Sequence, residues 1–156
     1  MLAIISKTRA IKRLAVVGIC AMLFSFSTPW GGEGFQIFLN NKVVLQQFGD
    51  DMNTVKTLNL AQASPNDEIS VRYHHCGKVG KNRIITVKDE KDKVLKQWKF
   101  SNSSEVLDPM TCKVKDILGL KNSKGSILKL YYSSSELTKE RQLAAIKVVV
   151  KSIASL

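Results

Sequence analysis

The chain has 156 residues, with 24 Lys or Arg against 13 Asp or Glu and a formal charge of +11. Such a balance excludes an acidic surface and favours contact with anionic material. The sequence also lacks a Gly-x-Ser-x-Gly elbow, a Gly-rich phosphate loop, a His-Glu-x-x-His pair and EF-hand spacing, so no familiar catalytic motif directs the reading.

Residues 1–27 have the three parts of a signal peptide. Lys7, Arg9, Lys12 and Arg13 form a basic start, Leu14 to Phe26 is an uncharged apolar run, and Ser25 and Ser27 are small residues before a cut at Thr28. The run is shorter than the ~20 residues that span a bilayer. Cleavage is therefore favoured over an anchor, and over a lipoprotein carrying its lipid on Cys20, which follows the bulky Ile19. Cleavage after Ser27 leaves 129 residues with 20 basic and 13 acidic side chains, a charge of +7. The expectation is an exported protein, periplasmic or secreted. Residues 28–34 read as a Gly-rich tether and 35–156 as one domain.

Phe35–Leu39 and Lys42–Phe48 read as strands joined by Asn40-Asn41, residues that tolerate the positive φ of a two-residue hairpin turn. Thr54–Leu60 is a third strand, and Ser64-Pro65-Asn66-Asp67 a turn. Glu68–His75 alternates, with Ile69, Val71 and Tyr73 on one face and Ser70, Arg72 and His74 on the other, as in a half-buried strand. Arg83–Lys88 follows, with Ile85 and Val87 on one face. Lys93–Phe100 carries Lys96 among Val94, Trp98 and Phe100. A lysine there predicts a bulge or an edge strand whose inward charge blocks pairing.

Ser101–Thr111 reads as irregular and contains the glycosylation acceptor Asn102-Ser103-Ser104. Lys113–Leu120 reads as one or two helical turns, Asn122–Gly125 as a turn and Ser126–Ser133 as a strand. Ser135–Ala145 is rich in helix formers and Ser134 could cap it, but Ile146–Val150 is β-branched, and a last strand over Arg141–Lys151 is the favoured reading. About eight short strands with regular turn signals predict an all-β fold, an antiparallel β-sandwich of jelly-roll or immunoglobulin-like type.

Cys76 and Cys112 are the only cysteines past the leader. In an oxidising compartment an even pair predicts a disulfide. His74 and His75 are weak metal candidates, because neighbours on a strand face opposite ways; no metal or cofactor is expected. Asp50, Asp51, Asp67 and Glu68 sit near turns and read as solvated turn formers. The distinctive feature is the basic stretch Lys78, Lys81, Arg83, Lys88, Lys91, Lys93, Lys96 and Lys99, with Trp98 beside it. As one hairpin it would gather charge for an anionic or glycan partner: acidic polysaccharide, lipid headgroups or another exported protein. Nucleic acid is not expected as the physiological partner. The reading is an exported binding or accessory domain without recognisable catalytic machinery. The alternatives are an enzyme of unrecognised, for example carbohydrate-active, type or a structural protein of the envelope.

Overall fold

The computed structural model describes residues 32–120 and 127–147. The expected leader with Cys20, the expected turn Asn122–Gly125 and residues 148–151 of the expected last strand lie outside them. Among the described residues nine strands run in chain order: β1 (Gly34–Leu39), β2 (Lys42–Phe48), β3 (Lys56–Asn59), β4 (Glu68–His74), β5 (Ile84–Lys88), β6 (Val94–Lys99), β7 (Met110–Lys113), β8 (Ile127–Ser133) and β9 (Arg141–Lys147). A 3-10 turn, Gly49–Asn53, follows β2, and a short helix, α1 (Val114–Leu118), follows β7. The strands form two sheets, ordered β2-β1-β4-β7 and β3-β9-β8-β5-β6. The fold is an all-β sandwich. Its pairing is antiparallel except between β3 and β9, which run parallel.

Period-two patterning explains the layers. Phe35 and Ile37 of β1 and Ile69, Val71 and Tyr73 of β4 turn inward, against Leu128, Leu130 and Tyr132 of β8 and Ile85 and Val87 of β5. Burying such side chains stabilises by roughly 1.5–3 kcal/mol each. The Asn40-Asn41 turn has φ values of 48° and 66°, as its two-residue length requires. The Asp67 N–H donates to the Ser64 carbonyl at 3.0 Å, closing the expected Ser-Pro-Asn-Asp turn.

Two differences from the sequence reading have local causes. β7 lies where an irregular segment was expected, because its inward pattern is only Met110 and Cys112, too short to stand out. Gly34, expected in the tether, already pairs with Phe48 and His74, and residues 28–31 of that expected tether lie outside the described residues. β6 is an edge strand, and its pairing with β5 slips at Val87/Lys88, leaving Leu95 as the extra residue. Both explanations of Lys96 therefore hold: an edge and a bulge.

Candidate binding surfaces and the polar end of the sandwich

The ends of β4 and β8, the start of β9 and the residues before β1 meet at one end of the sandwich. There the inward Tyr73 hydroxyl donates to Glu33 Oε1 at 2.6 Å, and Arg141 Nη2 donates to Glu33 Oε2 at 3.0 Å. Beside them, His75 Nε2 lies 2.9 Å from the Tyr132 hydroxyl and 3.4 Å from Ser134 Oγ. The Tyr73 ring sits 4.4 Å from that of Tyr132 and 4.7 Å from that of His75. Burial disfavours a charged imidazole and lowers the His75 pKa, partly opposed by Glu136 and Glu33. Burial, reinforced by Glu33, raises that of Tyr73.

This cluster does not have the parts of a nucleophilic pair. His75 Nε2 is shared with Tyr132, the Ser134 contact is long, and among the described residues no carboxylate bonds the imidazole to orient it. Its chemistry is that of a hydrogen-bonded polar core, with Arg141 Nε buried and without a hydrogen-bond partner among the described residues. His74 points the other way, with Nδ1 2.9 Å from the Gly32 carbonyl oxygen. Among the described residues no three potential metal ligands come together.

The expected Cys76–Cys112 disulfide is corrected. Both are free thiols. Cys112 pairs in register with Ile69, whereas Cys76 lies beyond His74, five residues farther along β4. That is about 16 Å of strand, well past the ~7 Å between Cα atoms that a disulfide spans. Cys76 sits at the tip of a tight turn with φ 50°, followed by Gly77 at 83°, where Lys78 N–H donates back to the His75 carbonyl. Cys112 faces the core, and burial, with Asp116 nearby, pushes its thiol pKa up to about 12.

The basic stretch divides in two. Arg83 is buried, its Nε donating to the Ser101 carbonyl at 3.0 Å and Nη1 to the Asp108 carbonyl at 2.8 Å. It holds the β6–β7 loop against the sheet. Lys88 pairs with Glu140 and lies over the Tyr131 ring. Lys96 Nζ is 3.3 Å from Asp116 Oδ2 and 5.2 Å from the centroid of Trp98, which is half-buried against the core. These four residues belong to the fold. Lys78, Lys81, Lys91, Lys93 and Lys99 are exposed and form no ion pair among the described residues. They are not one compact patch as expected. Lys91 and Lys93 stand at the turn and Lys99 at the far end of β6, opposite Ile84; six residues of extended chain separate Lys93 from Lys99, about 20 Å.

The sequence matches no protein-family model and no curated protein.

Of the acidic residues flagged near turns, Asp67 serves its turn through its side chain. Asp67 accepts from Asn40 Nδ2 at 2.8 Å and from the Ser64 N–H at 2.7 Å, bonds that lower its pKa. A cleft of about 640 Å³ adjoining the polar cluster is lined by Glu33, Glu136, Glu140, Lys139 and Arg141, among others. Glu33 is held by Tyr73 and Arg141, Glu140 by Lys88, and Glu136 by the Lys81 N–H. Sequence reading missed Glu33 and Arg141, which come together only through the fold.

Proposed function

We propose that this is a non-catalytic binding domain of an exported protein, and that its partner is an extended acidic polysaccharide lying along β6. The observation that carries this reading is the division of the basic stretch. Lys88 and Lys96 are neutralised within the fold, whereas Lys91, Lys93 and Lys99 face water along the β6 edge, and Lys78 and Lys81 face water on the connection between β4 and β5. Positive charge spread over about 20 Å suits a linear polyanion better than a compact anion. Of the acidic residues of the hairpin, Asp92 pairs with Lys129, while Asp89 and Glu90 keep their charge beside Lys91 and Lys93 and accept the backbone N–H groups of Lys91, Lys93 and Ile127.

The enzyme alternative ranks second. Its carboxylates would come from the cleft of Glu33, Glu136 and Glu140. All three already accept hydrogen bonds from the protein's own donors, which suits fixed charge better than proton transfer.

The test is titration with a sulfated or uronic-acid polysaccharide at rising salt. Binding should weaken as salt rises, since exposed charges are screened within roughly 8–10 Å. Lys91→Glu/Lys93→Glu/Lys99→Glu should lower affinity about tenfold or more. Reversal of Lys42, Lys56 and Lys115, which lie elsewhere, should cost much less. Equal losses from both triples would mean that net charge alone binds. Preference for a purified acidic protein over every polysaccharide would replace the partner.

A further inference from the structure

A cleft of about 570 Å³ opens on the outer face of the four-stranded sheet, at the end where β1 turns into β2. Its size falls within the ~300–1,000 Å³ of small-ligand sites. Strand register builds its floor. Phe38 of β1 pairs with Ser70 of β4, and Ser70 with Thr111 of β7, so the three stand in one row across the sheet. Glu68 and Arg72 lie two residues to either side of Ser70, on the same face. Thr111 Oγ1 donates to Ser70 Oγ at 3.2 Å, and the Arg72 guanidinium carbon lies 5.0 Å from the centroid of the Phe38 ring. Asn40 fixes the rim, its Nδ2 donating to Asp67 and its Oδ1 accepting the Glu68 N–H at 3.0 Å. Asn41 and Asn66 stand exposed on that rim. Among the described residues their side chains and that of Glu68 form no hydrogen bond or ion pair, and Arg72 meets only the Phe38 ring.

We infer that this cleft binds a neutral saccharide. In a chain of formal charge +11, the cleft holds one cation and one anion, Arg72 and Glu68. A polyanion would meet Glu68, and a polycation would meet Arg72. An apolar ligand would strip water from the amides and hydroxyls without replacing the lost bonds. Sugar hydroxyls both donate and accept. The cleft answers them with two free amides and two hydroxyls that do the same, a guanidinium that only donates and a carboxylate that only accepts. The Phe38 ring adds apolar surface for the C–H groups of a pyranose. An extended peptide suits the place less well. β1 lies between β2 and β4, and β4 between β1 and β7. Their backbone groups are already paired on both sides, so no further strand can be added there. From Glu68 to Arg72 is four residues of β4, about 13 Å, which fits a short oligosaccharide rather than a long polymer. The site is independent of the polyanion reading, since β6 belongs to the other sheet.

Titration of the isotope-labelled protein with cellotetraose, maltotetraose and chitotetraose, followed by two-dimensional amide NMR, tests the inference. At least one of the three should shift the amides of Phe38, Ser70 and Arg72 saturably. Its affinity should change less than about twofold between roughly 50 and 500 mM salt, whereas polyanion binding along β6 weakens over that range. Arg72→Ala should weaken saccharide binding about tenfold, and Asn66→Ala roughly 2- to 10-fold. The same spectra show whether each variant is folded, and if Arg72→Ala is not, the exposed Asn66→Ala decides. No saturable shift with any of the three up to about 20 mM, shifts confined to other faces, or parent affinity in the folded variants would each overturn the assignment. So would a stronger response of the same amides to inorganic sulfate or to tetraalanine, which would make the cleft an anion site or a peptide site.

Discussion

Glu33 and Arg141 stand 108 residues apart in the chain, yet Arg141 Nη2 lies 3.0 Å from Glu33 Oε2 while the Tyr73 hydroxyl occupies the other oxygen. The carboxylate fastens the segment before β1 to the start of β9. Glu33→Ala deprives Tyr73, which is 4% exposed, of its acceptor and should destabilise the fold by about 1–3 kcal/mol. The ion pair, about a third exposed on each side, adds at most ~1 kcal/mol of that. Glu33→Gln keeps an acceptor and should cost less. Urea denaturation of the three proteins checks the order, and a shift below about 0.5 kcal/mol for the alanine variant contradicts it.

His75 makes stability depend on pH. Its folded pKa is lowered by burial from the ordinary 6.5, so the unfolded chain takes up the proton first. The contribution is present above pH 6.5, falls as pH drops through 6.5 toward the folded value, and levels off below it. His75→Gln should flatten this part of the Tm-versus-pH curve while other carboxylate-linked changes at lower pH persist. An unchanged slope between pH 7.5 and 5.5 in that variant would place the titration elsewhere.

The two thiols should react differently. Cys76 is exposed, whereas Cys112 is buried with its pKa pushed up to about 12. Native alkylation followed by peptide mapping should label Cys76 and leave Cys112 unmodified until denaturant is added. Rapid native labelling of both would contradict the placement of Cys112 on the inner face of β7.

Trp98 faces the core beside Ile85 but stays half-buried at the sheet edge. Trp98→Ala should cost about 2–3 kcal/mol, below the 3–5 typical of a fully buried aromatic, and should leave polyanion affinity near the parent value. Loss of affinity without loss of stability would move Trp98 from the core to the ligand.

Local alternation carries most of the fold. The hairpin of β1 and β2, the inward face of β4 and the inward face of β8 can be read from residues two apart, because a strand turns successive side chains to opposite sides. Alternation also holds a signal that charge obscures. Arg83 lies two residues before Ile85 and four before Val87, on the inward face, so its position already separates it from the exposed lysines. Lys96 announces its edge in the same way. Contacts made only by the assembled sheets leave no such trace. Nothing near Glu33 points to Arg141, and the pairing of Cys76 and Cys112 by number alone says nothing of the register that sets Cys112 against Ile69.

The place of β9 governs when the molecule can form. Although it is the last strand described, it lies inside the five-stranded sheet, parallel to β3 on one side and antiparallel to β8 on the other. Until Arg141–Lys147 has been synthesised, β3 has no neighbour in its sheet and must wait more than eighty residues for one. Such distant pairing makes loop closure precede any reward, which slows folding. A chain emerging from the ribosome would hold its four-stranded sheet half-covered until β9 appears, and a nascent chain halted before Arg141 would leave β3 and β8 without their shared neighbour.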